Sequence, residues 1–283
     1  MNNVILISTN GFEGTWPAVE YGAWVAETIK ADVTLLGVAE SEADGSQARN
    51  AALEALLERA AATLSSRGLR HSIIRKHGKF EEVVPLVSRE ADGITVLGPL
   101  GRPVLQRLLW GRSIRGMLEA IHNPVLYVPR VRLPLRKLLI CIGGLGYELT
   151  AEHLAVRLGV AAGAEATLLH VAPPVEFDYP TARVQREHWR DLDSTDSLLG
   201  RNLRAGLEAA HSAGMKAAMI ARQGNVVEEI VAEIKQGAYD LVCMGSPHGV
   251  SGLRHLYEPN VTDEIADQTD CPLLTARHSD MPG

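Results

Sequence analysis

The feature that most constrains the fold is an internal repeat, because the second half of the chain repeats the sequence pattern of the first half. Near the start of each half an apolar run ends in a turn, at 3–8 and again at 137–142. The segment 31–38, ADVTLLGV, is matched by 164–171, AEATLLHV. Self-similarity of this kind means that one structural unit occurs twice. The sequence therefore predicts two domains of the same fold in tandem.

The strands predicted in each copy are short, continuous apolar runs rather than alternating ones. Such runs are typical of parallel strands that are covered by helices on both faces. Helical patterns separate them, in the order strand, helix, strand, helix, strand, helix, strand, loop, helix, strand. We therefore predict an α/β fold with two tandem doubly wound domains, each a five-stranded parallel sheet flanked by helices.

We place the first domain at 1–132 and the second at 136–283, with the joint in the short segment RVRLPL. The second copy carries an insertion near 173–196, which is polar, contains proline and is predicted to be a surface excursion. Within the first copy, Thr15 is predicted to cap a helix that has Pro17 in its first turn. Apolar spacing predicts a further helix over 48–64.

Composition narrows the class of protein. The net charge of −6 argues against general nucleic-acid binding. The chain opens without a basic leader and has no apolar run long enough to span a bilayer, so we expect a cytoplasmic protein without a membrane partner. Three cysteines, Cys141, Cys243 and Cys271, lie in or beside apolar runs without C-x-x-C spacing, and we interpret them as buried, reduced thiols.

The most informative motif follows the fourth predicted strand of the first copy. It reads Gly98, two residues, Gly101, nine residues, Gly111, Arg112 and Ser113, and it leads into a predicted helix. In a doubly wound fold this loop lies at the carboxyl end of the sheet, where backbone N–H groups and a helix N-terminus favour an anion. The alternative is that the glycines only serve a tight loop.

This motif and the repeated five-strand pattern resemble the universal stress protein family, whose members carry G-x2-G-x9-G-[S/T] here. Arg112 departs from the family's Ser or Thr, and Ser113 comes one position later. The resemblance implies that the first copy binds ATP or another adenine nucleotide, with Mg²⁺. It also implies that Asn10, where the family has an acidic residue, and Gly37 and Val38, in the second strand, belong to the same site.

The second copy departs further from the family pattern. Its loop has Gly245 and Gly249, with one residue more between them than the family pattern has. Pro259 stands where the pattern has its last glycine. Proline has no N–H to offer a phosphate. Gly143 stands where the family's acidic residue would be, and Glu258 adds a negative charge. We therefore predict a degenerate site in the second copy.

The sequence nominates no catalytic and no metal-binding residue. The run Gly143-Gly144-Leu145-Gly146 lacks the spacing of a dinucleotide fingerprint. His248 and His255 have no ligand partner at a metal-site spacing, and no G-x-S-x-G elbow is present.

Three functions are left open at this point: a stress-response regulatory protein that binds nucleotide, an interaction protein that needs no nucleotide and has an unidentified protein partner, and an ATP-hydrolysing enzyme. The resemblance also implies that the two copies pair through their last strands, 125–128 and 272–275. That pairing would make the chain an internal pseudo-dimer, and a further homodimer is left open.

Overall fold

The chain folds into two compact units, Met1–Val131 and Arg132–Gly283. A computed structural model describes residues 4–40, 46–91, 93–101, 114–143, 149–172, 189–191, 194–246 and 261–277.

The first unit alternates strands with helices from its start to its end. Its described elements are β1 (Val4–Thr9), α1 (Trp16–Ile29), β2 (Asp32–Ala39), α2 (Ser46–Ser66), β3 (His71–His77), α3 (Phe80–Glu90), β4 (Gly93–Leu97), α4 (Ile114–Ala120) and β5 (Val125–Tyr127). A short 3₁₀ turn, Glu13–Thr15, precedes α1.

All strands of this unit are parallel, in the order β3-β2-β1-β4-β5. The central strand β1 pairs on both sides, and Ile7 is in register with Leu35 of β2 and Val96 of β4. Successive crossovers run outward from β1 to β3 and then return past β1 to β4 and β5. Because crossovers between parallel strands are right-handed, α1 and α2 cover one face of the sheet while α3 and α4 cover the other.

The second unit repeats this plan. Its described elements are β6 (Lys137–Cys141), α5 (Leu149–Ala162), β7 (Glu165–Ala172), α6 (Leu198–Ser212), β8 (Ala217–Gln223), α7 (Val226–Gly237), β9 (Leu241–Ser246), α8 (Val261–Gln268) and β10 (Leu273–Arg277). Its parallel strands follow the order β8-β7-β6-β9-β10, which corresponds strand for strand to the order in the first unit. The predicted fold class is confirmed.

The core of each unit is aliphatic, and the predicted spacing places its residues correctly. Leu53, Leu56, Leu57 and Leu64 of α2 are all buried against the sheet. The three cysteines are buried as well and form no disulfide. Among the described helices, none combines the length and apolar composition that crossing a bilayer requires.

One local prediction is wrong. Thr15 does precede α1 and Pro17 does lie in the first turn, but the Thr15 side chain makes no capping bond to the helix. Its hydroxyl donates instead to the carbonyl of Phe12 at 2.7 Å. The carbonyl of Phe12 also accepts from the backbone N–H of Thr15 at 2.9 Å, so backbone and side chain of Thr15 both bond back to the preceding loop.

Candidate functional site

The candidate site lies at the carboxyl edge of the first unit's sheet, where β1 and β4 end side by side. Strands β2 and β3 lie on one side of β1, whereas β4 and β5 lie on the other side. The direction in which the chain adds strands therefore reverses between β1 and β4. In open α/β sheets the loops on either side of such a reversal diverge and leave a crevice for ligands. Two loops border it here, the β1 loop, residues 10–15, and the glycine loop, which starts at residue 98.

Asn10 joins these two loops. Its Nδ2 donates to the carbonyl of Leu100 at 3.1 Å, and its Oδ1 accepts a longer bond of 3.4 Å from the N–H of Phe12. The residue is 8% exposed. Both ends of the amide are therefore engaged within the protein. A carboxylate at this position could not donate to the Leu100 carbonyl, so Asn is the residue type that this contact requires.

Gly98 and Gly101 lie against the β1 loop, backbone to backbone. A Cβ on Gly98 would lie 2.9 Å from the Cα of Thr15, and one on Gly14 would lie 2.9 Å from the Cα of Gly101. Gly101 also has a φ of +64°, and a Cβ there would lie 2.7 Å from the Cβ of Phe12. These glycines are required for the close approach of the two loops, whatever the glycine loop binds.

A chain of hydrogen bonds fixes the shape of the β1 loop. The N–H of Gly11 donates to Thr9 Oγ1 at 3.1 Å, and the hydroxyls of Thr9 and Thr15 are 2.6 Å apart. Because the Thr15 proton is given to Phe12, Thr9 must donate to Thr15. Both threonines are fully buried. Each hydroxyl thus donates once and accepts once, which holds the loop in one conformation.

Gly37 and Val38 are neighbours in β2, and the position of Gly37 faces helix α2. A Cβ on Gly37 would meet Leu57 Cδ1 at 2.7 Å, and the side chain of Val38 is fully buried. The space above Gly37 is therefore filled by the helix. The structure brings Asn10, Gly98 and Gly101 together at the crevice, whereas the side-chain positions of Gly37 and Val38 face the packed interior. Gly111, Arg112 and Ser113 lie outside the described residues.

Helix α2 is also tied to the start of α1 at the surface beside the crevice. The guanidinium of Arg59 lies 3.7 Å from the centroid of the Trp16 ring and forms two bonds to Glu13, at 2.9 and 2.8 Å. The hydrogen bond from Arg59 lowers the pKa of the Glu13 carboxyl. Ion pair and ring stacking together hold the 3₁₀ turn against α2.

Comparison with known proteins decides the family. The model of the universal stress protein family matches residues 134–277, which is more than half of the chain. The chain belongs to the universal stress protein family. The match lies within the second unit, which is the copy whose loop departs further from the family motif.

Known relatives agree with this assignment. Universal stress protein YxiE of Bacillus subtilis (strain 168) is 26% identical over 148 residues, which cover 50% of this chain and 98% of that protein. A universal stress protein from Archaeoglobus fulgidus DSM 4304 is similar in structure with a TM-score of 0.73 at 15% identity, covering 99% of this chain and 98% of its own. A functionally unknown protein from Pseudomonas aeruginosa PAO1 gives a TM-score of 0.65 at 13% identity, with coverage of 98% and 93%. At these identities the structural likeness establishes the fold.

The second universal stress protein unit has a different carboxyl edge. After β6, the Ile142 N–H donates to the carbonyl of Leu169 at 2.8 Å, and the Ile142 carbonyl lies 2.9 Å from Nδ1 of His170. His170 is buried and stands where Gly37 stands in the first unit. Gly143 and Gly245 are described, while Gly249, Glu258 and Pro259 lie outside the described residues. The imidazole makes this edge chemically distinct from that of the first unit.

The sequence did not predict a partly buried polar network in the second unit. Arg222 of β8 bonds to Glu233 of α7 at 2.5 and 3.0 Å and to Glu229 at 3.2 Å, and Tyr239 donates to the other oxygen of Glu233 at 2.6 Å. Burial, and then the hydrogen bond to Glu233, raise the pKa of Tyr239 to about 12. The only hint in the sequence is the i, i+4 spacing of the two glutamates on one helix face.

Metal-type groups and reactive thiols were both sought among the described residues. Within them, no three His, Cys, Asp or Glu side chains form a group suited to a metal ion. Burial raises the pKa of Cys141 to about 12 and that of Cys243 well above its usual value. Thiols of this kind are protonated at neutral pH and are poor nucleophiles.

Proposed function

We propose that this universal stress protein binds an adenine nucleotide in its first unit, at the crevice between the β1 loop and the glycine loop. One observation carries the proposal: the order β3-β2-β1-β4-β5 brings Gly98 and Gly101 to the point where chain order reverses. That point is where parallel α/β sheets bind their ligands. Phosphate groups would then lie along 102–113, where Arg112 and Ser113 supply a cation and a hydroxyl.

The described residues form the wall of this site rather than its phosphate cradle. The Asn10 amide and the hydroxyl chain of Thr9 and Thr15 hold the wall rigid. Gly98 and Gly101 let the two loops close on each other. Any recognition of the phosphates falls to backbone N–H groups and side chains beyond Gly101, with Mg²⁺ neutralising phosphate charge when it is bound.

A second function is favoured by a specific observation. Both polar groups of Asn10 already bond to the protein, and the position of Gly37 is filled by Leu57. A site whose polar groups are already bonded and whose glycine is covered has fewer groups and less space left to bind an adenosine. The chain would then be an interaction protein that works without nucleotide, and its glycines would serve loop packing alone.

A charge reversal at Arg112 separates the two functions. The purified protein is denatured, and the extract is separated by anion exchange with mass detection. ATP binding, with and without Mg²⁺, is then measured by titration calorimetry. If the first unit binds nucleotide, Arg112→Glu weakens binding by at least about tenfold, because a carboxylate repels the phosphates.

The matched control is Arg89→Glu, which makes the same charge change at an exposed position of α3 in the same unit. It should leave the affinity unchanged. Gly101 is unsuitable for this test, since any side chain there collides with Phe12 and would disturb the loop without informing on phosphate contacts. No released nucleotide and no binding heat from the wild type would favour the interaction protein.

A further inference from the structure

A cavity of about 610 Å³ lies at the amino edge of the second unit's sheet. It is formed where three helices end, α5 at Ala162, α6 at Ser212 and α7 at Gly237, and where strands β6, β7 and β8 begin. Sites for small molecules commonly have volumes of about 300–1,000 Å³. The cavity is therefore large enough for a small molecule, and it belongs to a different unit from the crevice of Asn10.

Part of the cavity lining is apolar. Ala164 and Met215 are 6% and 3% exposed, whereas Val160 of α5 is 41% exposed. A ligand that covers Val160 removes apolar surface from water, and this favours binding. The lining therefore suits a ligand that has an apolar part.

The repeat shows why the second unit has space here. Counted back from the matched segments at the start of β2 and β7, Val160 and Gly163 occupy the positions of Glu27 and Lys30 in the first unit. One long charged side chain is thus replaced by a short apolar one, and the other is replaced by no side chain.

The end of the next helix differs in the same way. Ala213 precedes Gly214 as Arg67 precedes Gly68, and both glycines have a positive φ. In the first unit the guanidinium of Arg67 lies 3.7 Å from the carboxylate of Glu27. The second unit has neither member of this ion pair. The cavity therefore lies where the second unit has shorter residues at three equivalent positions.

Two charged groups that line the cavity are not compensated. Asp240 accepts the backbone N–H groups of Arg136 and Lys137 with one carboxylate oxygen, Oδ2, at 2.8 and 3.0 Å. Within the part of the chain that the structure describes, Oδ1 of Asp240 has no hydrogen bond, and the exposed guanidinium of Arg136 has neither a hydrogen bond nor an ion pair. The first unit has Gly93 in place of Asp240. This carboxylate is therefore particular to the second unit.

Two other charged side chains at the cavity compensate each other. Nζ of Lys216 lies 2.9 Å from Oε2 of Glu165. The equivalent residues of the first unit, Arg70 and Asp32, form an ion pair of the same length. This pair is thus part of the repeated fold, and it leaves Arg136 and Asp240 as the charged groups available to a ligand.

The ends of the helices favour an ammonium group in the cavity. The last carbonyls of a helix have no partner within the helix and carry a partial negative charge. Lys137 demonstrates this, since its ammonium group donates to the carbonyl of Gly237 at the end of α7 at 3.1 Å. Helices α5 and α6 end at the same cavity.

We propose that this cavity binds a free amino acid with an apolar side chain. The carboxylate of the ligand pairs with the guanidinium of Arg136, and its ammonium group donates to Oδ1 of Asp240 and to carbonyls at the ends of α5 and α6. Its side chain covers Val160. A simple anion leaves the Asp240 carboxylate uncompensated, and a simple cation leaves Arg136 so. A zwitterion compensates both.

Titration calorimetry of the full chain tests the proposal with leucine, valine and methionine as probes. Leucine is compared with isocaproate, which lacks the ammonium group, and with isoamylamine, which lacks the carboxylate. Leucine should bind at least about tenfold more tightly than either analogue, because each analogue leaves one charged group of the cavity without a partner.

A charge removal identifies the group that binds the carboxylate. Arg136→Met keeps an apolar stem and removes the guanidinium, so it should weaken the binding of leucine by at least about tenfold. The matched control is Arg157→Met, which makes the same change at an exposed position of α5 that does not line the cavity. It should leave the affinity unchanged.

A second variant fills the cavity with residues of the first unit. It combines Val160→Glu with Gly163→Lys and should abolish binding while thermal unfolding stays cooperative. A Cβ at Gly163 meets no atom within 4 Å, and Lys30 has a φ of +55° where Gly163 has +66°, so the fold accepts a side chain there. Binding of none of the three amino acids, equal binding of leucine and its analogues, or binding that survives both variants overturns the proposal.

Discussion

The side-chain amide of Asn10 donates a hydrogen bond to the backbone carbonyl of Leu100 across 3.1 Å and so joins the β1 loop to the glycine loop. The donor is essential to this contact because the partner is a carbonyl. Family members that carry an acidic residue at this position cannot form the same bond when that residue is ionised. The two loops of this chain are therefore held by an interaction of their own.

We expect Asn10→Asp to lower the free energy of unfolding by about 1–3 kcal/mol at neutral pH, since it sets a carboxylate against a carbonyl in a buried place. Part of the loss should be recovered as the pH falls and the carboxyl gains a proton to donate. Urea denaturation at several pH values measures both effects. The control Asn50→Asp, at an exposed position of α2, should change stability by less than about 0.5 kcal/mol. Equal losses in the two variants would contradict this account.

The contact between Gly101 and Phe12 can be separated from the conformational requirement of Gly101. Gly101→Ala and Gly68→Ala both place a side chain at a positive φ, +64° and +70°, but Gly68 faces open space. Gly68→Ala should cost about 1 kcal/mol from conformation alone. Gly101→Ala should cost at least about 1 kcal/mol more, because its Cβ meets that of Phe12. Thermal and urea unfolding give both values, and similar losses would show that the loops can separate without penalty.

The Glu233 carboxylate joins Arg222 to Tyr239, and its removal should be costly. We expect Glu233→Gln to destabilise the chain by about 1–3 kcal/mol, since it weakens the charged hydrogen bonds of a partly buried Arg222 that stays paired with Glu229. Tyr239→Phe should cost about 1–3 kcal/mol. The double variant should cost less than the sum of the two, because the residues share one bond. Glu228→Gln, on an exposed position of the same helix, is the control; a strictly additive double variant would disprove the shared bond.

Alkaline pH should weaken the fold through the buried thiols. Burial raises the pKa of Cys141 and of Cys271 from 9.0 to about 12. The stability that these groups contribute is present below pH 9, where both states keep the thiol protonated, and it is lost as the pH rises toward 12. Stability measured by urea denaturation should fall over that window. At pH 8 a thiol reagent such as DTNB should label none of the three cysteines in the native chain and all of them in urea; rapid native labelling would contradict their burial.

The repeat and the apolar runs predicted the architecture because they are local in sequence. Runs such as 31–38 carry enough β-branched and aliphatic residues to be recognised as buried parallel strands. The turn before α1 could not be predicted in the same way. Thr15 matches the residue preference of a helix cap, but its hydroxyl bonds to Phe12 and Thr9. A propensity describes which bonds a side chain can make, and tertiary packing chooses among them.

The structure brings together three of the residues that the sequence nominated for a site, Asn10, Gly98 and Gly101. The spacing of Gly98 and Gly101 identified the loop, but it could not reveal that both glycines are needed for contact with Thr15, Gly14 and Phe12. Asn10 was selected through the family resemblance, and its bond to Leu100 depends on two segments far apart in sequence. The Arg222 network could not be predicted for the same reason, since β8, α7 and Tyr239, which precedes β9, meet only in the folded unit.

Asn10 and Leu100 are separated by 90 positions along the chain. Contacts between such distant positions form late in folding, because the intervening chain must first lose its freedom. A chain still being synthesised can therefore form the bonds of Thr9 and Thr15, whose partners all lie within residues 9–15, but Asn10 has no partner for its Nδ2 until the residues around Gly101 have emerged and reached the loop.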